Sequence, residues 1–257
     1  MFSFWEKKIF EIVPGWREKL AGCGLERFEA FWGEVGRPFK VKPDREIRLL
    51  EVRGQSLFLK RYFRFGALEF VCGAEREWWA VKELSRRGFS VPEPVAFGLE
   101  RGLRPRRAFS LLSAAPGRRL EDLFREEPEV ALRLAWPLAA FAARFHALGF
   151  SHQDFYLCHL FFDGRRFFLI DLQRLRQSEG LRFRWIIKDL AELFYSAREV
   201  LGESSAEFEK RFLSEYGRFH PWLESPKMLK RLEGKIRKIA AHDAKLKARQ
   251  KIRLRAV

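Results

Sequence analysis

The Asp163-Gly164 pair sits between two short aromatic-rich apolar runs, residues 159–162 and 167–170. That pattern is the strongest short-range signal for a β-hairpin, because Asp and Gly tolerate the positive-φ backbone of a tight turn between twisted strands. A two-residue turn with Phe162 facing Arg165 would place His159 opposite Phe168. Asp154, in the loop before the first strand, and Asp171, directly after the second, would then share the open end of the hairpin with His159. Three groups able to hold a proton or a cation are expected to converge there, although they are far apart along the chain.

Two carboxylates on such a hairpin suit phosphoryl transfer from a nucleotide. One must orient the acceptor hydroxyl and take its proton, and the other must hold the metal that bridges the phosphates. The protein-kinase catalytic loop reads His-Arg-Asp, four residues, then Asn, with the metal-binding Asp after the next hairpin. Here His152-Gln153-Asp154 stand in the first positions, His159 takes the place of the Asn, and Asp171 follows the hairpin. Taken singly, either carboxylate reads equally well as a surface residue or a strand cap. The set, with its spacing, does not.

The stretch His152-Gln153-Asp154-Phe155-Tyr156-Leu157-Cys158-His159, then Leu169-Ile170-Asp171-Leu172-Gln173-Arg174, Arg184-Trp185 and Lys188-Asp189-Leu190-Ala191, resembles the lipopolysaccharide kinase family. Those bacterial enzymes phosphorylate inner-core sugars, heptose or 3-deoxy-manno-octulosonic acid (Kdo). The Tyr-x-Cys-His ending is close to the heptose kinase form, and the resemblance covers roughly residues 45 to 200. It implies an α+β, bilobal protein-kinase-like fold, with a small antiparallel-sheet N-lobe for ATP and a mainly helical C-lobe. It further implies Asp154 as the catalytic base, Asp171 as the Mg2+ ligand and His159 at the second-metal position. Imidazole is a poor ligand for hard magnesium, so His159 is expected either to meet phosphate or to leave a one-metal site. His152 is expected to be a scaffold of the loop. Asp189, on the following helix, is expected to brace that loop by accepting backbone N–H groups.

Upstream, residues 39–65 read as strands, and Lys60 is the candidate to neutralise the nucleotide phosphates. Glu77, within Arg76-Glu77-Trp78 on a helix over 73–88, is its expected partner, with Glu75 as the alternative. No Gly-x-Gly-x-x-Gly precedes Lys60, so residues 41–45 must turn over the phosphates without glycine. Val91-Pro92-Glu93-Pro94 forces an extended segment leading to an edge strand at 95–97. Leu111, Leu112 and Ser113 end the next strand and are placed at the hinge, where backbone groups would bind adenine.

A helical region opens at Leu120 and is strongly amphipathic after Pro137, with Leu138, Phe141, Ala142, Phe145 and Leu148 on one face and Gly149 ending it. Residues 207–216 and 222 onward also read as helical. No long activation segment fits between Asp171 and Asp189, and Gln153 replaces the Arg that reads a phosphorylated loop in many protein kinases. Both features argue against a phosphorylation switch.

The 47% hydrophobic content supports a packed globule, and no apolar run approaches the ~18 residues that cross a bilayer. Cys23, Cys72 and Cys158 show no metal spacing, which suggests a reducing, cytoplasmic setting. The N-terminus lacks the pattern of a secretory signal, and Phe2, Trp5, Ile9 and Ile12 are spaced as a helical stripe. The formal charge is +16, of which residues 227–257 carry ten units: twelve Lys or Arg against Glu233 and Asp243. Such a basic end implies an anionic partner. With no nucleic-acid-binding module in view, the expected partners are a lipid A-linked core-sugar acceptor and the anionic inner face of the inner membrane, with the protein peripheral there. The expected division is a helical extension (1–36), a nucleotide-binding lobe (37–113), a catalytic lobe (114–226) and a basic helical tail (227–257). Two other readings fit the core motif: a kinase of another small molecule, such as an aminoglycoside, and a kinase-shaped binding protein without activity. The former leaves the Tyr-Leu-Cys-His ending and the basic tail unexplained.

Overall fold

The computed structural model describes residues 7–65, 71–102, 104–180 and 182–255, with side chains as far as residue 249. It divides into two units, Met1–Pro116 with Phe168–Arg174, and Gly117–Phe167 with Leu175–Val257.

The first unit is built on an antiparallel sheet of β1 (Lys7–Ile12), β2 (Arg37–Val41), β3 (Arg45–Val52), β4 (Gln55–Tyr62), β5 (Pro94–Arg101) and β6 (Pro105–Ser113), in the order β1-β5-β6-β4-β3-β2. Two helices accompany it, α1 (Arg17–Ala21) and α2 (Gly73–Arg86). Successive side chains of a strand point to opposite faces, and both faces here are covered. On one, Trp16, Leu20, Leu25, Phe28 and Phe31 pack against Leu57, Leu59, Phe109 and Leu111, with the Phe31 and Phe109 rings stacked 4.3 Å apart. On the other lies α2, whose Trp78 stacks on Phe97 at 5.6 Å.

The N-terminal segment differs from expectation. Ile9 and Ile12 lie on β1, paired with Leu99 and Ala96 of β5, and not on a helix; Phe2 and Trp5 lie outside the described residues. The run Lys7-Lys8-Ile9-Phe10-Glu11-Ile12 has the β-branched and aromatic content of a half-buried strand, and β5 satisfies the backbone groups on one of its edges. Consequently β5 is an interior strand, not the edge expected at 95–97.

The second unit contains β7 (Arg118–Arg119), α3 (Leu120–Glu126), α4 (Pro128–Ala147), β8 (Phe150–Ser151), β9 (Leu160–Phe162), the start of β10 (Phe167–Leu169), β11 (Arg176–Gln177), α5 (Phe183–Leu201), α6 (Ser205–Phe219) and α7 (Pro226–Arg255). Phe124, Phe145, Phe155, Phe194, Phe208, Phe212 and Tyr216 form its buried aromatic core. Gly149 ends α4 at φ 81°, where an added Cβ would stand 2.3 Å from the Ser178 carbonyl oxygen. Only glycine fits there.

The hairpin turn sits one residue later than expected. The Asp163 N–H donates to Arg166 O at 3.3 Å, and its Oδ1 accepts the N–H groups of Arg165 and Arg166, both at 2.8 Å. Asp163 is therefore the first residue of an Asx-type turn, with Gly164 at φ 94° inside it. Phe162 accordingly meets Phe167, at 5.0 Å between ring centroids.

The basic C-terminal helix is part of the second unit. Leu232 and Ile236 of α7 are buried, and both of its acids face α5: Glu233 pairs with Arg198 at 2.8 Å, and Asp243 accepts the Tyr195 hydroxyl at 2.5 Å. Among the described residues no helix is long and apolar enough to cross a membrane.

Candidate active site

In the first unit, strand parity turns Lys60 of β4 and its cross-strand neighbour Ser110 of β6 toward α2. Glu77, fully buried, accepts from both: Lys60 Nζ at 2.5 Å on Oε1, and Ser110 Oγ at 3.0 Å on Oε2. The Lys60 ammonium also reaches Asp171 Oδ1 at 3.2 Å. Burial works against the charge of Lys60, but Glu77 and then Asp171 outweigh it and raise its pKa. It therefore remains a cation at neutral pH, as a phosphate-binding group must. Glu75, the alternative partner, instead caps α2 by accepting the Cys72 N–H at 3.0 Å and pairs with Arg101.

Two features of this cluster were not anticipated. Gln173 donates through Nε2 to Asp171 Oδ1 and accepts from Arg45 at 2.9 Å through Oε1, so one amide orients both. Lys40, Lys42, Arg45 and Lys60 also surround a cavity of 60 Å³ with Asp171 and Gln173. Where the kinase pattern has a glycine-rich turn, this chain presents three side-chain cations. The available signal was Lys40-x-Lys42-x-x-Arg45 at the expected turn.

The residues expected at the hinge, Leu111, Leu112 and Ser113, end β6. Leu111 and Leu112 lie within β6, paired on both sides by β4 and β5. The N–H of Ser113 donates to Glu93 O at 3.0 Å, and that of Ala114 to Ser56 O at 2.8 Å. These two N–H groups are therefore engaged within the sheet.

In the second unit, the loop at 152–159 is held from below by α5. Asp189, fully buried, accepts the N–H of His152 at 2.7 Å and of Gln153 at 2.9 Å. Glu192 accepts the N–H of Phe155 and Ser196 Oγ that of Leu157, each at 3.0 Å. Positions 189, 192 and 196 share one helix face, so a single stripe of α5 collects four loop donors. Lys188 adds a bond to the Gln153 carbonyl and pairs with Glu192. Burial raises the Glu192 pKa, against the opposing pull of Lys188. His146 lies 3.3 Å from Asp189 through Nε2 and 2.7 Å from the Tyr216 hydroxyl through Nδ1, and is a packed structural residue.

Within that loop, His159 Nδ1 lies 2.7 Å from the Asp154 carbonyl oxygen. A carbonyl can only accept, so Nδ1 carries the proton and a neutral ring keeps its lone pair on Nε2. The His152 ring, itself fully buried, stacks beside it at 6.0 Å. Gln153 and Asp171 both adopt left-handed backbone, φ 65° and 58°. Non-glycine residues persist there only where surrounding bonds over-determine them, as Asp189 and Lys188 do for Gln153. The structure thus gathers Lys60, Glu77 and Asp171 in one unit, and His152, Asp154, His159 and Asp189 in the other.

A sheet that buries a Lys–Glu pair beside an Asp, and a helical unit that braces a His-Gln-Asp loop, define a nucleotide-dependent phosphotransferase of the kinase type. Residues 33–216 match the lipopolysaccharide kinase (Kdo/WaaP) family, and the chain belongs to it. It is a lipopolysaccharide core kinase that uses ATP. It is 30% identical over 204 residues to lipopolysaccharide core heptose(I) kinase WaaP of Pseudomonas aeruginosa, covering 69% of this chain and 76% of the relative. It is 29% identical over 212 residues to the WaaP of Escherichia coli K12, covering 72% and 77%. A solved structure, WaaP in complex with acyl carrier protein, superposes with a TM-score of 0.68 at 28% identity, over 90% of this chain and 98% of that one.

Proposed function

We propose that this kinase transfers the γ-phosphoryl group of ATP to a heptose hydroxyl of the lipopolysaccharide inner core, with Mg2+ as its metal. The observation that carries the reading is the half-buried Lys60 ammonium held between Glu77 and Asp171; the two heptose kinases named above supply the sugar. Lys60 sets the phosphates, and Lys40, Lys42 and Arg45 close over them in place of backbone amides. Asp171 would hold Mg2+, for which hard carboxylate oxygens are fitting ligands; the bound metal would offset charge on the transferring group. Asp154 orients the acceptor hydroxyl and takes its proton. His159 fixes the loop through the Asp154 carbonyl, and Asp189 carries the loop backbone. Incubating the purified protein with ATP and core oligosaccharides, one ending in heptose and one in Kdo, is expected to add phosphate to the heptose form. Phosphate on the Kdo form alone would overturn the choice of sugar, and transfer to neither would overturn the reading.

The basic cavity predicts a separable effect. Arg45→Ala is expected to raise the KM for ATP about tenfold, since one charge-assisted hydrogen bond is worth about 1.5–3 kcal/mol, and to change kcat less. Steady-state kinetics in ATP would show it, and an unchanged KM would remove Arg45 from the nucleotide site.

We also propose that the enzyme works as a peripheral protein on an anionic, cytoplasmic membrane face. The exposed Lys230, Arg231, Lys238, Lys245 and Arg249 of α7 support this, at about 1 kcal/mol per cation near such a surface. Co-sedimentation with vesicles containing anionic lipid is expected at low salt and is expected to disappear when these five become Gln. Equal sedimentation of both proteins would refute it.

A further inference from the structure

In the second unit, α3, α5, α7 and the loop at 152–159 enclose a cleft of 590 Å³, a size typical of small-molecule sites. Its lining is mixed. Tyr156 and Tyr195 meet edge to face at 6.5 Å between ring centroids. Asp243 and Leu246 of α7 and Arg125 of α3 line the cleft as well. Asp243 accepts the Tyr195 hydroxyl at 2.5 Å and pairs with Lys247 at 2.8 Å; Lys247 in turn reaches Glu199 at 3.2 Å. Aromatic faces beside carboxylates and a few cations suit a polyhydroxylated, anionic ligand: rings take the C–H faces of a sugar, carboxylates take its hydroxyls, and cations take an acidic or phosphorylated substituent. The shortage of unshared cations argues against a nucleoside triphosphate, and the carboxylates and Lys247 interspersed among Val200, Ile239 and Leu246 fit a sugar better than a bare acyl chain.

Asp243 is the more telling residue. Residues 227–257 contain only two acids, Glu233 and Asp243. Glu233 fastens α7 to Arg198 of α5; Asp243 binds Tyr195 of α5 and lines the cleft as well. The Tyr156 N–H donates to the Asp154 carbonyl at 2.9 Å, so the cleft begins on the same tight loop as the proposed base.

We propose that this cleft binds the core glycan acceptor next to its reacting hydroxyl, with Tyr195 and Asp243 reading its hydroxyl groups. The proposal rests on Asp154 acting on that acceptor. Tyr195→Phe and Asp243→Asn are expected to raise the KM for deacylated heptose-containing core oligosaccharide at least about tenfold, the size of one lost hydrogen bond to a charged group. The KM for ATP is expected to stay within twofold. Leu246→Trp, at a position 43% exposed, is expected to obstruct the cleft in the same way without disturbing the core. Glu233→Gln, which loosens the α5–α7 seam away from the cleft, is expected to lower the melting temperature and leave the glycan KM alone. If the parent transfers phosphate and all three cleft variants keep its glycan KM, the cleft is not the acceptor site. If the parent transfers none, the functional reading fails, and calorimetric titration with the same oligosaccharide still decides the cleft. Binding lost in the cleft variants then supports it, whereas binding unchanged in them, or absent in the parent, overturns it.

Discussion

The Asp154→Asn variant is expected to bind ATP as tightly as the parent and to transfer phosphate about 10²–10⁴ times more slowly, the usual contribution of a positioned general base. The substitution keeps the volume and one acceptor oxygen of the side chain but removes its capacity to take a proton. The bond from His159 Nδ1 goes to the backbone carbonyl of residue 154, not to its carboxylate. Loop geometry should therefore survive, and the melting temperature should change by no more than a surface substitution would change it. The loss should fall on kcat, with the KM for ATP nearly constant. Phosphorylated core oligosaccharide formed at the parental rate would remove Asp154 from the chemistry and, with it, the proposed division of labour with Asp171.

Replacing Asp189 by Ala is expected to cost about 3–5 kcal/mol of stability, because two charge-assisted bonds to the loop and the contact with His146 are lost, leaving one buried and one half-buried N–H donor without an acceptor. Those donors are the amides of His152 and Gln153, at 2.7 and 2.9 Å from the carboxylate. No neighbour stands in readily: Glu192 is already engaged with Phe155 and Lys188, and Ser196 with Leu157. Gln153 would lose one of the bonds that hold its left-handed backbone, so the position of Asp154 should blur as well. Urea titration would show the shift in midpoint, and activity at temperatures where the variant is still folded should fall at least tenfold. A variant with parental midpoint and parental kcat would show that the loop does not depend on α5.

Much of the first unit was legible in the sequence. Alternation located β4, runs of strand-forming residues located β3 and β6, and Gly88 marked the end of α2, because local periodicity and turn chemistry act over a few residues. That Lys60 should meet Glu77 was implied by the resemblance of Arg76-Glu77-Trp78 to the family's cluster, with Glu75 left as the alternative. The N-terminal strand was not legible. Lys7 to Ile12 are spaced equally well for a helix in isolation, and only the open edge of β5, far along the chain, decides for a strand. Residue order likewise cannot say which backbone donors near residues 111–113 a neighbouring strand has already taken.

In the second unit, the motif at 152–159 and Asp189 could be named from their residues, while the role of Glu192 and Ser196 could not. Their three-to-four-residue spacing after Asp189 is common on any helix and becomes informative only when a loop is seen to lie over that face. The cleft lined by α3, α5 and α7 is more distant still, since Tyr156, Tyr195 and Asp243 share no pattern along the chain.

By itself the sequence determined which groups are present and the local elements that carry them: the hairpin, the paired carboxylates, the lysine strand and the basic helix. These depend on side-chain chemistry and on periods of two or about four residues. Tertiary structure alone decided which donors remain available, which cations gather around one cavity, and that the basic helix closes a cleft as well as presenting charge. Such outcomes depend on contacts between distant segments, where burial and exclusion of water determine what each charged group can do.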